Sequence, residues 1–86
     1  MDQVAVPLFE AGAMENWGML TFKSKMLLDS SDNPAGTFRI DRIISRKVVH
    51  QWIGNLVTII WWNDTWLNEG LTSYWQYHGL LALYPQ

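Results

Sequence analysis

His50 and Glu69 are the two side chains whose types and spacing could do chemistry together. Eighteen residues separate them, enough for one helix to end, the chain to turn, and a second helix to bring a carboxylate back beside the imidazole. One His and one Glu from adjacent helices make half of a zinc site. The other half belongs one helical turn before His50, because residues at i and i+4 project from the same helix face. Position 46 is Arg and position 47 is Lys. Half of a metal site is present, and two cations stand in the rest. Without their neighbours, His50 and Glu69 read as structural residues before they read as ligands.

Composition bounds what such a site can belong to. The chain has 86 residues, 49% hydrophobic and 16% charged, with a formal net charge of -2, so it is one small unit or a piece of a larger one. Six Trp are a heavy aromatic load for this length, and large rings need partners on several sides. A chain this short buries only about 60–65% of its unfolded surface, which predicts that neighbouring structure completes it. The absence of Cys excludes disulfides and thiolate metal sites. No apolar run reaches the roughly 18 residues of a membrane span, and the N-terminus lacks the build of a signal peptide. Compartment stays open. The mildly acidic balance argues against nucleic acid. Arg39, Arg42, Arg46 and Lys47 cluster, but Asp41 interrupts them, and a solvated helix face is the simpler reading.

The elements that must position His50 and Glu69 follow from local pattern. Residues 4–9 are apolar and β-favouring, with Pro7 suited to a strand edge or end. Residues 10–18 contain glycines that permit close backbone approach. Residues 19–22 read as a second strand that could continue through 25–28. Residues 29–36 are loop by composition. Thr37 is a candidate N-cap for a helix carrying Ile40, Ile43, Ile44 and Val48 at helical spacing. That helix is predicted to reach about Trp52 and stop at Gly54-Asn55. Asn63-Asp64 looks like the cap of a second helix, ended by Pro85. One side of it carries Leu67, Leu71, Tyr74, Trp75 and His78, and a polar stripe carries Glu69, Thr72, Ser73 and Gln76. The fold class is α+β, strands first and then two helices.

Five short stretches occur in one order: Gly12-Ala13-Met14-Glu15-Asn16, His50-Gln51-Trp52, Gly54-Asn55-Leu56-Val57-Thr58, Trp61-Trp62-Asn63-Asp64 and Trp66-Leu67-Asn68-Glu69-Gly70. Together they resemble the zinc aminopeptidases of the aminopeptidase N type, and the resemblance runs from Asp2 to about Tyr77. It implies part of a thermolysin-like zinc peptidase catalytic domain over residues 1–86. On that reading residues 1–28 form a substrate edge, 29–36 a loop, and 37–86 the helices of the metal site. It also implies zinc as cofactor and peptides with a free N-terminus as partners. Glu15 would bind the α-amino group of such a peptide, a carboxylate facing an ammonium. Gly12 and Ala13 would line its backbone, with Met14 and Asn16 in the same binding segment. The bland alternative for Glu15 is a solvated residue in a glycine-containing turn.

The metal motif of the family is H-E-x-x-H, then 18 residues, then E. Arg39 and Ile43-Ile44 fix the register, so His50 matches the second histidine and Glu69 the third ligand. Arg46 then occupies the remaining ligand position and Lys47 the general-base position, leaving no catalytic group intact. Leu8 also departs, from an Asp that commonly follows that proline. Arg46 cannot deprotonate to become a ligand. A guanidinium roughly 5 Å from a dication would be repelled by ~7 kcal/mol at an effective dielectric of about 20. Lys47, protonated at neutral pH, cannot take a proton from a metal-bound water. His78 lies nine residues past Glu69, about 13.5 Å along a helix and half a turn round it, so it reads as a packing residue. The family also uses a tyrosine well downstream of the zinc glutamate as an oxyanion donor. Tyr74, Tyr77 and Tyr84 lie too near Glu69 to correspond to it.

Three readings follow from the sequence. The chain is a piece of a zinc aminopeptidase with a degraded metal site, or a peptide-end binder that works without zinc, or a truncated copy with no independent role.

Overall fold

The computed structural model describes residues 1–27 and 33–84. Three strands come first: β1 (Asp2–Val6), β2 (Ala13–Asn16) and β3 (Met19–Lys23). They form one sheet in the order β1-β3-β2. β2 and β3 are an antiparallel hairpin in which Asn16 faces Met19, while β1 runs parallel to β3 with Asp2 facing Met19. The hairpin turns on Trp17-Gly18, where Gly18 takes φ 79°, a conformation open to glycine at little steric cost. β3 is the central strand. Its alternate residues Leu20 and Phe22 are buried, the period of two that a one-sided sheet requires.

Two of these strands differ from the pattern reading. β1 stops at Val6 rather than extending to Phe9, because Pro7 cannot donate to a ladder. Residues 13–16, read as part of a glycine-containing segment, are a full strand of the sheet. Nor does the second predicted strand run on past Lys23. Ser24–Leu27 form a one-turn helix, α1, and Met26 lies over Gly12, its Sδ 3.2 Å from where a Cβ would sit. A side chain at position 12 would push against that thioether.

The long helix α2 spans Pro34–Val49. It starts three residues before the expected Thr37, because Asn33 and Pro34 make the stronger start. The Asn33 side chain accepts from the Gly36 N–H at 3.3 Å, and proline fits the first helical turn. Thr37 instead sits inside the helix and donates its hydroxyl to the Asn33 carbonyl at 3.1 Å. Within the stretch read as loop, 34–36 are therefore helical, and 29–32 lie outside the described residues. At the far end α2 closes at Val49 with His50 as its C-cap, short of Trp52. The chain doubles back at once, with Gly54 N–H donating to the Val57 carbonyl at 2.7 Å.

A 3-10 turn (Trp62–Asp64) leads into α3 (Thr65–Leu83). Asp64 occupies the N-cap position, but its side chain makes no capping bond. The Thr65 hydroxyl donates to the Trp62 carbonyl instead. The expectation attached to Pro85 falls outside the described residues. No helix of the described chain is long and apolar enough to cross a membrane.

The orientation of α3 is the main surprise of the fold. α3 packs on α2 through its polar stripe: Thr72 and Gln76 are buried together with Leu80. Gln76 Nε2 donates to the Arg42 carbonyl at 2.8 Å, and Ser45 Oγ donates to the Gln76 carbonyl at 3.2 Å. Gly79 allows this approach, since a Cβ there would stand 3.1 Å from Ser45 Oγ. Tyr84 donates to Asp41 and meets Phe38 edge-on at 5.3 Å, closing the seam. Of the predicted apolar side, Leu71, Tyr74 and Trp75 point away and are exposed, while Leu67 is half-buried. His78 stays on that outer side, 4.6 Å from the Tyr74 ring and 5.3 Å from that of Trp75. Hydrogen bonds rather than apolar burial set how the two helices meet.

Candidate functional site

Five charged or ionisable side chains from three elements meet where β2 faces the end of α2 and the first turns of α3: Glu15, Arg46, Lys47, His50 and Glu69. These are the residues that the sequence singled out. Glu15 reaches the site because β2 alternates, turning Ala13 and Glu15 toward the protein and Met14 and Asn16 outward. The expected binding segment is thereby divided between two faces. Asn16 uses its amide on the hairpin, donating to Thr21 Oγ1 at 3.0 Å.

The strand is held in place by side chains that follow His50. Asn55 Nδ2 donates to the Glu15 carbonyl at 2.7 Å. Gln51 accepts from Gly18 N–H at 3.0 Å and donates to the Asn16 carbonyl at 3.2 Å. Sequence reasoning gave Gln51 and Asn55 no role. Their signal was two amide side chains close after the imidazole, able to satisfy the open backbone of an edge strand.

His50 is buried and fixed by its Nδ1. That nitrogen lies 3.1 Å from the Ile53 carbonyl, which can only accept, and 3.4 Å from Thr72 Oγ1. In the neutral ring Nδ1 therefore carries the proton and Nε2 the lone pair. Nε2 faces two carboxylates, Glu15 Oε1 and Glu69 Oε1, each at 3.9 Å. Gly54, at φ 117°, lets the chain turn beneath the ring, where a Cβ would stand 3.4 Å from Nδ1.

The cations occupy the other oxygen of each carboxylate. Lys47 Nζ lies 2.7 Å from Glu15 Oε2, and this pair is mostly buried, with side-chain exposures of 17% and 20%. Burial alone would raise the Glu15 carboxyl, but the hydrogen bond and charge of Lys47, helped by His50, outweigh it and hold the pKa below its ordinary value. Arg46 pairs through Nη2 with Glu69 Oε2 and donates through Nη1 to Ser73 Oγ at 2.8 Å. Ser73 lies one turn past Glu69, so both partners of the guanidinium come from one face of α3. The polar stripe of the sequence held this signal, since Ser73 belongs to it.

Zinc needs a third protein ligand here besides His50 and Glu69; the position one turn before His50 holds Arg46, and Glu15, which approaches the ring, is paired with Lys47. Among the described residues no three His, Cys, Asp or Glu side chains are grouped to hold a metal ion. The guanidinium of Arg46 lies on the carboxylate that a metal would use, and it has no lone pair to offer. The donor set as it stands does not fit the ion.

Comparison with known proteins gives the wider setting. The family model described as Peptidase family M1 domain matches residues 1–86. Aminopeptidase N of Mus musculus is 51% identical over 80 residues, covering 91% of this chain and 8% of that protein. Aminopeptidase N of Homo sapiens is 50% identical over the same length and shares. Probable aminopeptidase 1 of Saccharolobus solfataricus is 45% identical over 84 residues, 96% of this chain and 11% of that protein. The chain thus spans only about a tenth of the length of these relatives.

Proposed function

The chain belongs to peptidase family M1, and from that premise we propose that it carries the substrate edge and part of the metal site of a zinc aminopeptidase, in a copy impaired for hydrolysis. The ancestral reaction removes N-terminal residues from peptides. Glu15 stands for the carboxylate that receives the free α-amino group, with Gly12 and Ala13 beside the peptide backbone and Met14 and Asn16 completing the segment. His50 and Glu69 stand at two inherited ligand positions. Arg46 replaces the first zinc histidine, and Lys47 replaces the glutamate that would accept a proton from the attacking water.

One observation carries this reading: the two replacing cations sit on the carboxylates the reaction would use, Arg46 on Glu69 and Lys47 on Glu15. A guanidinium supplies no lone pair, and an ammonium hydrogen-bonded to a carboxylate keeps its proton. The same contact disfavours the peptide-end binder, because the Glu15 carboxylate that would meet a peptide ammonium already holds an ammonium of the chain.

A graft into a full-length family member tests the proposal. Residues 1–86 replace the host's matching stretch, once as they stand and once with Arg46→His and Lys47→Glu. Release of a chromogenic amine from an aminoacyl anilide is the readout. The repaired graft should turn over, and the unrepaired one should be slower by at least the 100- to 10,000-fold or so typical of losing a general base. Comparable rates in both would refute the impairment.

A further inference from the structure

Resting on the reading that the metal site is disabled, we infer that Arg46 and Lys47 do more than block it: they replace a divalent cation as the electrostatic staple joining β2, α2 and α3. Glu15 Oε1 and Glu69 Oε1 each lie 3.9 Å from His50 Nε2, so two carboxylates from different elements are gathered about one imidazole. Two negative charges so placed repel each other unless positive charge stands beside them. A doubly charged ion held at the ligand positions would supply it from one central point. This chain supplies it from two points at the edges.

The arrangement follows from helix geometry. Neighbouring helical residues project about 100° apart, so consecutive cations on α2 reach in two directions. Arg46 reaches α3, where it takes both Glu69 and Ser73. Lys47 reaches β2, where it takes Glu15. Each carboxylate keeps its second oxygen toward His50, and the two positive and two negative side chains balance around it. Among the described residues no buried side-chain nitrogen or oxygen is left without a partner, and both cations already stand on the carboxylates that an ion would need. The fold around His50 is accordingly metal-indifferent. Restoring the two family residues would make it metal-dependent, because the repaired site would hold three carboxylates and no cation.

Amide hydrogen exchange by mass spectrometry on the 86-residue chain tests this, since it reads segments separately and needs no cooperative melt. In the unaltered chain, peptides covering 46–54 and 66–76 should exchange at the same rate in chelator and with one equivalent of zinc. Arg46→Gln and Lys47→Gln should each speed that exchange roughly two- to fivefold, as loss of a partly exposed ion pair does, and zinc should not reverse it. The charge-keeping variants Arg46→Lys and Lys47→Arg should stay nearer the unaltered rate. The double variant Arg46→His, Lys47→Glu should exchange faster in chelator and recover with one equivalent of zinc. Zinc-induced protection of the unaltered chain would overturn the inference, and so would Gln variants indistinguishable from it or from the charge-keeping pair. An inactive graft whose unaltered segment is protected by zinc would leave the impairment reading standing and remove this one alone.

Discussion

Gln76→Ala should loosen the chain more than substitutions among the aromatic residues of the same helix. Gln76 is only 2% exposed, and its amide donates to the Arg42 carbonyl at 2.8 Å. Truncation removes one hydrogen bond worth about 1 kcal/mol net and buried side-chain packing worth about another. The combined loss of about 2 kcal/mol corresponds to about a 30-fold rise in the local opening constant of the α2–α3 seam. Leu71 and Trp75 are 45% and 50% exposed on the outer face, so Leu71→Gln and Trp75→Gln should each stay within about 0.5 kcal/mol. Amide exchange of peptides spanning 38–46 and 72–80 measures all three variants on one scale. The reverse order, with fast exchange in Leu71→Gln and Trp75→Gln and little change in Gln76→Ala, would mean that α3 turns its apolar side to α2. The inverted packing described above would then be wrong.

Two further outcomes follow from the same structure. The isolated chain should bind ANS strongly and give a weak near-UV signal, because among the described residues the buried apolar side chains are only Leu20, Phe22 and Leu80. A sharp cooperative melt without dye binding would contradict that. The Tyr84 phenol should ionise above its ordinary value of 10.0, since its hydrogen bond to Asp41, slight desolvation and the Asp41 charge all oppose loss of the proton. With the folded-state pKa raised, this contact stabilises fully below pH 10 and is lost as pH climbs through the raised value. The difference in phenolate absorbance between the unaltered chain and Tyr84→Phe should therefore be centred above 10, and a difference centred at or below 10 would refute the contact.

Much of the site was legible because charge and spacing do not depend on knowing the packing. His50, Glu69, Arg46 and Lys47 were picked out by helical periodicity and motif register, and they meet as side chains of α2, its cap and α3. The direct contact of Lys47 with Glu15 was not legible, since it joins residues 32 positions apart through the alternation of a strand that pattern reading did not assign. α2 was found but started late, because Thr37 is a good cap residue and Asn33-Pro34 a better one. The largest miss was the direction of α3. Pattern reading turns an apolar stripe toward its neighbour, and here Ser45, Arg42 and Gln76 bind across the seam while the stripe faces out. That rule presumes a chain that holds its whole core, and this chain spans a tenth of its relatives.

The outward face of α3 and the turn before it also make the chain its own optical probe. All six indoles, those of Trp17, Trp52, Trp61, Trp62, Trp66 and Trp75, are between 50% and 80% exposed. None is sheltered as a constant background, so emission comes from rings in contact with water and open to a dissolved quencher such as iodide. Any body that covers one face silences a particular subset: Trp17 reports on the hairpin, Trp52, Trp61 and Trp62 on the segment between the long helices, and Trp66 and Trp75 on α3. Single Trp→Phe replacements would separate these signals. The surface that leaves this chain thinly cored therefore supplies a map, in fluorescence, of whatever comes to cover it.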